Sequence, residues 1–154
     1  MKVVLDTNVL IMSISKGSPF HSVWTEFLSG RYTICYTTEI LLEYEEVLAR
    51  KVSPTFADAI LTAIVGATNT IEVEDYYKMQ LITADPDDNK FVDCAFATNA
   101  HYIVSEDHHY DLLRDIDYPR IEVIDIDNFV KMLQKERKKS PLQLPQGEGK
   151  ERIT

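Results

Sequence analysis

The sequence predicts an α/β domain built on a parallel sheet covered by helices on both faces. Three observations carry this. Short apolar runs alternate with stretches of helical period along most of the 154 residues. The first run, Lys2-Val3-Val4-Leu5, is β-branched-rich and lacks the polar alternation of a half-exposed strand, so it reads as buried on both faces. Helix-length connections separate successive strands, as parallel pairing requires.

The strand at 2–5 is followed by a helical stretch through Val9, Leu10, Ile11 and Ile14, and Gly17-Ser18-Pro19 is a loop. His21 to Leu28 is helical, with Val23, Trp24, Phe27 and Leu28 on one face and Gly30 as its stop. Tyr32 to Tyr36 is the second strand. Thr37-Thr38 caps a helix over Glu39 to Lys51, in which Ile40, Leu41, Tyr44, Val47 and Leu48 follow the helical period. Ser53-Pro54 opens the next helix, with Ser at the N-cap and Pro at the first helical position. Thr70 to Val73 is a short strand. Asp85-Pro86-Asp87-Asp88-Asn89 is an acidic turn leading into a buried helix over Phe91 to Ala100. Tyr102 to Val104 is a strand closed by Ser105-Glu106-Asp107, and Asp111 to Ile116 is a short helix. Ile121 to Ile124 is the last strand, after which Asp125 or Asp127 caps a helix over Phe129, Val130, Met132 and Leu133.

From Lys135 the composition turns basic and then rich in Pro, Gly and Gln, which sets a domain at 1–134 apart from a basic, flexible or partner-ordered tail at 135–154. The net charge is −9 but unevenly spread. Residues 1–130 carry 9 Lys and Arg against 22 Asp and Glu, whereas residues 131–154 carry 7 against 3. An acidic body argues against a broad duplex-DNA binding face, and it leaves room for a metal-mediated contact with phosphate. The run Lys135-Glu136-Arg137-Lys138-Lys139 has two readings, a steering patch for nucleic acid or a solvated helix end whose cations suit the helix dipole.

No stretch approaches the roughly 20 apolar residues that span a bilayer, and Met1 leads into a strand rather than a secretory signal, so a cytoplasmic address is expected, with no membrane partner. Cys35 and Cys94 have no metal-binding spacing and read as reduced structural thiols. The four histidines do not make a zinc site: His108 and His109 are adjacent and diverge, and His21 and His101 lie in unrelated segments.

The chemistry lies in the acids. In open α/β sheets ligands sit beyond the carboxyl ends of the strands. Asp6 ends the first strand, Glu43 lies on the helix after the second, Asp88 starts the helix before the fourth, and Asp107 follows the fourth. All four can reach one sheet edge. Carboxylates packed together repel, and a divalent cation removes the conflict. Oxygen donors without Cys or His favour Mg²⁺ or Mn²⁺. Each acid also has a plain alternative: Asp6 or Asp88 as a helix cap, Glu43 as a solvated helix residue, Asp107 as a turn former.

The flanking residues add to this. Val3-Val4-Leu5-Asp6-Thr7-Asn8-Val9-Leu10, the segment Thr38 to Arg50 around Glu43, Asp85-Pro86-Asp87-Asp88-Asn89-Lys90-Phe91-Val92-Asp93-Cys94-Ala95 and His101 to Asp107 together resemble, in order, the PIN domain family of metal-dependent ribonucleases, over roughly residues 2–130. The third block is most similar to a branch described as toxins of toxin–antitoxin pairs. The resemblance implies a three-layer α/β/α sandwich around a parallel sheet and single-stranded RNA as substrate. It implies metal-ligand roles for Asp6, Glu43, Asp88 and Asp107, supported by Thr7 or Asn8 and by Ser105. Asp88 is preferred to Asp87 because its distance to Ala95 fits the family pattern, and Asp93 is held in reserve as a ligand of a second metal through water. An antitoxin protein and a homo-oligomer are implied as possible partners.

The chain departs from the family in one place. Glu106 precedes the last acid, where the family often has a small residue, and His108-His109-Tyr110-Asp111-Leu112-Leu113 follows it where the family often has Lys-Asp-Leu-Leu. The expected reaction is metal-assisted phosphodiester hydrolysis by water, with no covalent intermediate. Arg50, Lys51, Lys90 and His108 are candidates for contacting RNA phosphates, against a competing reading as ordinary surface charges. The rival function is a catalytically silent binding or regulatory module of the same fold. An aspartyl-phosphate phosphatase would want a second aspartate where Asn8 stands, and a receiver domain would want a phospho-accepting Asp and a Lys that the chain does not place.

Overall fold

In a computed structural model, residues 1–74, 78, 81–82, 88–117 and 120–139 are described. The acidic turn at 85–87 and the tail from residue 140 lie outside them. The described residues form an α/β/α sandwich around a five-stranded parallel sheet. Its strands are β1 (Lys2–Leu5), β2 (Thr33–Tyr36), β3 (Thr70–Glu72), β4 (Tyr102–Val104) and β5 (Val123–Ile124), in the spatial order β3-β2-β1-β4-β5. Every neighbouring pair is parallel, with Val3 opposite both Ile34 and Tyr102 at the sheet centre.

Val3, Val4 and Leu5 are wholly buried, as the unbroken apolar run requires of a central strand covered on both faces. The helices are α1 (Thr7–Ile14), α2 (His21–Leu28), α3 (Thr38–Lys51), α4 (Pro54–Gly66), α5 (Asn89–Thr98) and α6 (Ile126–Lys139). Local chemistry sets their ends. The Thr37 hydroxyl accepts from the Ile40 N–H at 3.2 Å, and the Ser53 hydroxyl from the Phe56 N–H at 3.0 Å with Pro54 at the first helical position. After α2, Gly30 takes φ +78° and its N–H donates to the Phe27 carbonyl, a left-handed ending that glycine adopts without steric cost.

Several boundaries differ from the sequence reading. Helix α5 ends at Thr98 rather than Ala100 because Asn99 turns into the left-handed region at φ 56°. The edge strand β5 starts at Val123 rather than Ile121, having a partner on one side only. The short helix expected over Asp111 to Ile116 is a 3-10 helix over His108–Asp115, begun earlier because the Asp107 side chain accepts from the His109 N–H. Lys135 to Lys139 continue α6, so the division drawn at residue 134 falls inside a helix, and Arg137 on its last turn pairs with the buried Glu26 of α2.

The strand order reverses at β1: the chain winds outward through β2 and β3, then returns to β4 on the opposite side. The crevice beyond the carboxyl ends of β1 and β4 is therefore the switch point, where open α/β sheets place their ligands.

Candidate metal centre

Two short connections deliver the first groups to this crevice. Asp6 follows β1 directly, and its N–H donates to the Val104 carbonyl at 3.0 Å, extending the β1–β4 ladder by one step. The residue is 6% exposed, and its side chain makes no hydrogen bond capping α1. Instead Asp6 Oδ2 accepts from the Ser105 hydroxyl at 2.7 Å, and the same Ser105 oxygen accepts from the Asp107 N–H at 2.9 Å. Ser105 thus ties the two acids that follow the adjacent central strands.

Asp88 precedes α5, is 7% exposed and likewise makes no capping hydrogen bond with its side chain. Its place is set by its neighbour. Asn89 accepts from the Ile82 N–H at 2.7 Å and donates to the Ile82 carbonyl at 2.9 Å, and this pair of bonds anchors the start of α5. The capping alternative for Asp6 and Asp88 is not what their side chains do. Asp107 does double duty, capping the 3-10 helix while its carboxylate faces the site.

One oxygen each from Asp88 and Asp107 and one nitrogen from His109 lie within 4.8 Å of one another. His109 Nδ1 is 3.2 Å from Asp88 Oδ2 and 3.1 Å from Asp107 Oδ1. Asp6 joins this group through Ser105 and through the field. Burial pushes its pKa from an ordinary 3.8 up to about 6, helped by the charges of Asp88 and Asp107 and opposed by the hydrogen bonds from Ser105 and the Thr7 backbone.

Glu43 stands outside the three-residue cluster. Its Oε2 accepts from the Thr7 hydroxyl and its Oε1 pairs with Lys90 Nζ at 2.7 Å, so protein partners hold both oxygens. Next to it, the buried Tyr44 hydroxyl donates to the Leu5 carbonyl at 2.6 Å and fixes α3 to the end of β1. Asp93 is buried on α5, 3% exposed, and is not one of the three clustered donors. Thr7 is buried and holds Glu43, whereas Asn8 is exposed.

Three features here escaped sequence reasoning. Lys90 is no surface charge: its side chain is 12% exposed and bound to Glu43. His109 enters the site, while His108 stays 92% exposed beside Asp111. Tyr110, 1% exposed, brings a hydroxyl with no hydrogen-bond partner among the described residues into the reach of Asp6, Asp88, Asp107 and Glu43; burial chiefly, and then these charges, raise its pKa. The signal for the last two was the stretch after Asp107, where the chain departs from the family pattern. The Glu106 departure is absorbed, since its carboxylate accepts from the Ile126 N–H at 2.7 Å at the start of α6.

The donor set suits a divalent cation. Buried or half-buried carboxylates repel one another, one of them has its pKa raised, and an unpartnered buried hydroxyl faces them. Fold and site together define a doubly wound parallel α/β domain with a cluster of acidic residues at its switch point. The PIN domain family model matches residues 2–109, and the chain belongs to that family. Among solved structures it is similar to VapBC2 from Rickettsia felis, crystallised bound to a DNA fragment from their promoter, with TM-score 0.56 and 15% identity over 81% of this chain and 98% of that one. It is also similar to Mycobacterium tuberculosis VapC20, described as a Sarcin-Ricin loop cleaving toxin, with TM-score 0.51 and 13% identity over 71% of this chain and 93% of that one. At such identities the likeness is one of fold. No curated protein matches the chain significantly. No helix among the described residues is long and apolar enough to cross a membrane.

Proposed function

We propose that this chain is an endoribonuclease that hydrolyses phosphodiester bonds of single-stranded RNA with Mg²⁺ or Mn²⁺, and that it is the toxin of a toxin–antitoxin pair. The observation that carries the reading is the convergence of Asp6, Asp88 and Asp107 at the switch point, with the Asp6 pKa raised chiefly by burial and further by the charges of the other two. Family membership supports it, as does the similarity in fold to VapBC2 and to the Sarcin-Ricin loop cleaving toxin VapC20. A cytoplasmic address and an antitoxin partner go with that reading.

Asp6, Asp88 and Asp107 hold the ion in this proposal. Bound there, a divalent ion supplies charge stabilisation at the phosphate and makes water a nucleophile near neutral pH. Ser105 orients Asp6 through its hydroxyl and receives the Asp107 N–H, so one side chain sets two of the carboxylates. Thr7 and Lys90 hold Glu43 at the rim of the site, where it is available as a fourth acid when Lys90 turns to a phosphate. Asp93 remains the reserve ligand for a second ion. The domain read over residues 1–134 carries this chemistry, and the basic run that ends α6, apart from Arg137 on Glu26, is the candidate for steering RNA.

The test is cleavage of a mixed single-stranded RNA by purified protein with Mn²⁺, Mg²⁺ or chelator, beside Asp6→Asn. Cleavage that requires metal and vanishes in the variant is the expected result. Metal binding without cleavage of any RNA offered would favour the silent binding module.

A further inference from the structure

We propose that His109 is a ligand of the metal at this site, and that its nitrogen tilts the site towards first-row transition ions over Mg²⁺. The inference rests on the metal-dependent reading above and deepens it. Its basis is geometric. An octahedral ion with bonds of about 2.1 Å holds neighbouring ligands about 3 Å apart. His109 Nδ1 lies 3.1 Å from Asp107 Oδ1 and 3.2 Å from Asp88 Oδ2, the spacing of adjacent corners of one coordination shell.

The placement is built rather than accidental. The His109 backbone N–H is held by Asp107 Oδ1 at 2.9 Å, which fixes the first turn of the 3-10 helix. The following residue, Tyr110, is wholly enclosed, and Leu113 anchors the next turn at 3% exposure. The imidazole therefore starts from a backbone pinned on both sides, with its ring 42% exposed and one nitrogen turned inward.

A second observation points to a ligand at the same place. The Tyr110 hydroxyl is buried and has no hydrogen-bond partner among the described residues, and it lies in the field of Asp6, Asp88, Asp107 and Glu43. A buried hydroxyl in a native site calls for a partner, and an ion with its coordinated water supplies one. Carboxylates joined by an imidazole differ from an oxygen-only set in the ions they prefer. Imidazole suits first-row transition ions, and affinity along that row rises from Mn²⁺ through Co²⁺, whereas Mg²⁺ keeps oxygen ligands and water.

The experiment uses the full-length protein, His109→Ala and His109→Gln, all first checked for folding by thermal melts in chelator. Mn²⁺-loaded samples are examined by electron spin-echo envelope modulation for nitrogen coupling, and Co²⁺ and Mg²⁺ binding are measured by calorimetry. The expected result is a directly bound nitrogen in the wild type that disappears in both variants. Changes to groups that merely orient a ligand cost 10–100-fold in affinity, so losing the ligand itself should weaken Co²⁺ by at least about tenfold, with a smaller change for Mg²⁺. Stoichiometric Mn²⁺ without nitrogen coupling would overturn the proposal and leave the metal-dependent reading standing. So would tighter metal binding in His109→Ala, the result expected if the imidazole only hydrogen-bonds the two carboxylates in a cation's place. Failure of the wild type to bind any of the three ions would overturn both.

Discussion

Asp6→Asn in the presence of chelator tests the electrostatic core of the site without any substrate. The Asp6 pKa rises from 3.8 unfolded to about 6 folded, chiefly through burial. At about 1.4 kcal/mol for each tenfold change in proton affinity, ionising this carboxyl costs the fold up to about 3 kcal/mol. The sign follows from proton binding. Between about pH 4 and pH 6 the folded state holds the proton that the unfolded state has lost, so stability falls as pH rises through that window. Above it the whole cost is present, and below it none is. Asparagine keeps the shape and still accepts from the Ser105 hydroxyl, but it carries no charge. At pH 7.5 in chelator the variant should therefore melt above the wild type by up to about 6–12 °C, since 1 kcal/mol moves a domain of this size by about 2–4 °C. At pH 4 the two should melt together. Divalent ion should close the gap and then reverse it: a ligand adds about 2.7 kcal/mol to the form that binds it at 100 times its Kd, and about 4.1 kcal/mol, enough to exceed the whole cost, at 1,000 times. Differential scanning fluorimetry across this pH range, with and without Mn²⁺, reads all of these. A correctly folded variant that is no more stable than wild type at pH 7.5 in chelator would refute the claim that a buried, repelled charge sits at the switch point.

Three further substitutions probe the supports. Ser105→Ala removes the hydroxyl shared by Asp6 and Asp107, and metal affinity or activity should fall about 10–100-fold, read by calorimetry and RNA cleavage. Tyr44→Phe removes the donor to the Leu5 carbonyl and should lower stability by about 0.5–1.5 kcal/mol, or more if that buried carbonyl stays unpaired, read by urea unfolding. Asn89→Ala breaks both bonds to Ile82, so a loss of about 1–3 kcal/mol is expected, together with weaker metal binding because Asp88 is the preceding residue.

The parts of the fold legible in the sequence were those that local physics decides. An unbroken apolar run ending on Asp6 specifies a central strand, because only a strand covered on both faces is apolar at every position. Thr37, Ser53 with Pro54, and Gly30 announce helix ends because capping is a contact within a few residues. The extent of β5 was not legible, since ladder pairing on one side decides where an edge strand begins. The convergence of Asp6, Asp88 and Asp107 could be anticipated because topology alone brings strand ends to one edge. The Glu43–Lys90 pair could not, because it joins α3 to α5 and depends on how closely the two helices approach. His109 was hidden by a similar cause. Its ring turns inward only because the 3-10 helix begins at His108, and this start is fixed by the Asp107 carboxylate, whose direction no periodicity reveals.

Charge compensation divides the site into two parts, and the division bears on function. Glu43 is matched by Lys90, whereas Asp88 and Asp107 lie close together with His109 between them, and Asp6 is in the field of both. Repulsion left in a buried place lowers the stability of a fold that is marginal to begin with. Any species that binds the folded state through those groups recovers that cost and adds its own binding energy. The surrounding body makes a cation the fitting species: residues 1–130 hold 22 acids against 9 Lys and Arg. Screening over about 8 Å at physiological salt leaves mainly the local carboxylates to decide what a phosphate meets at the switch point. Without a cation a polyanion is repelled there; a divalent cation would cancel most of that negative charge and itself offer the phosphate a point of attachment. If the proposed ribonuclease reading holds, RNA binding, as distinct from cleavage, should itself require the ion, which a binding titration with and without chelator would read.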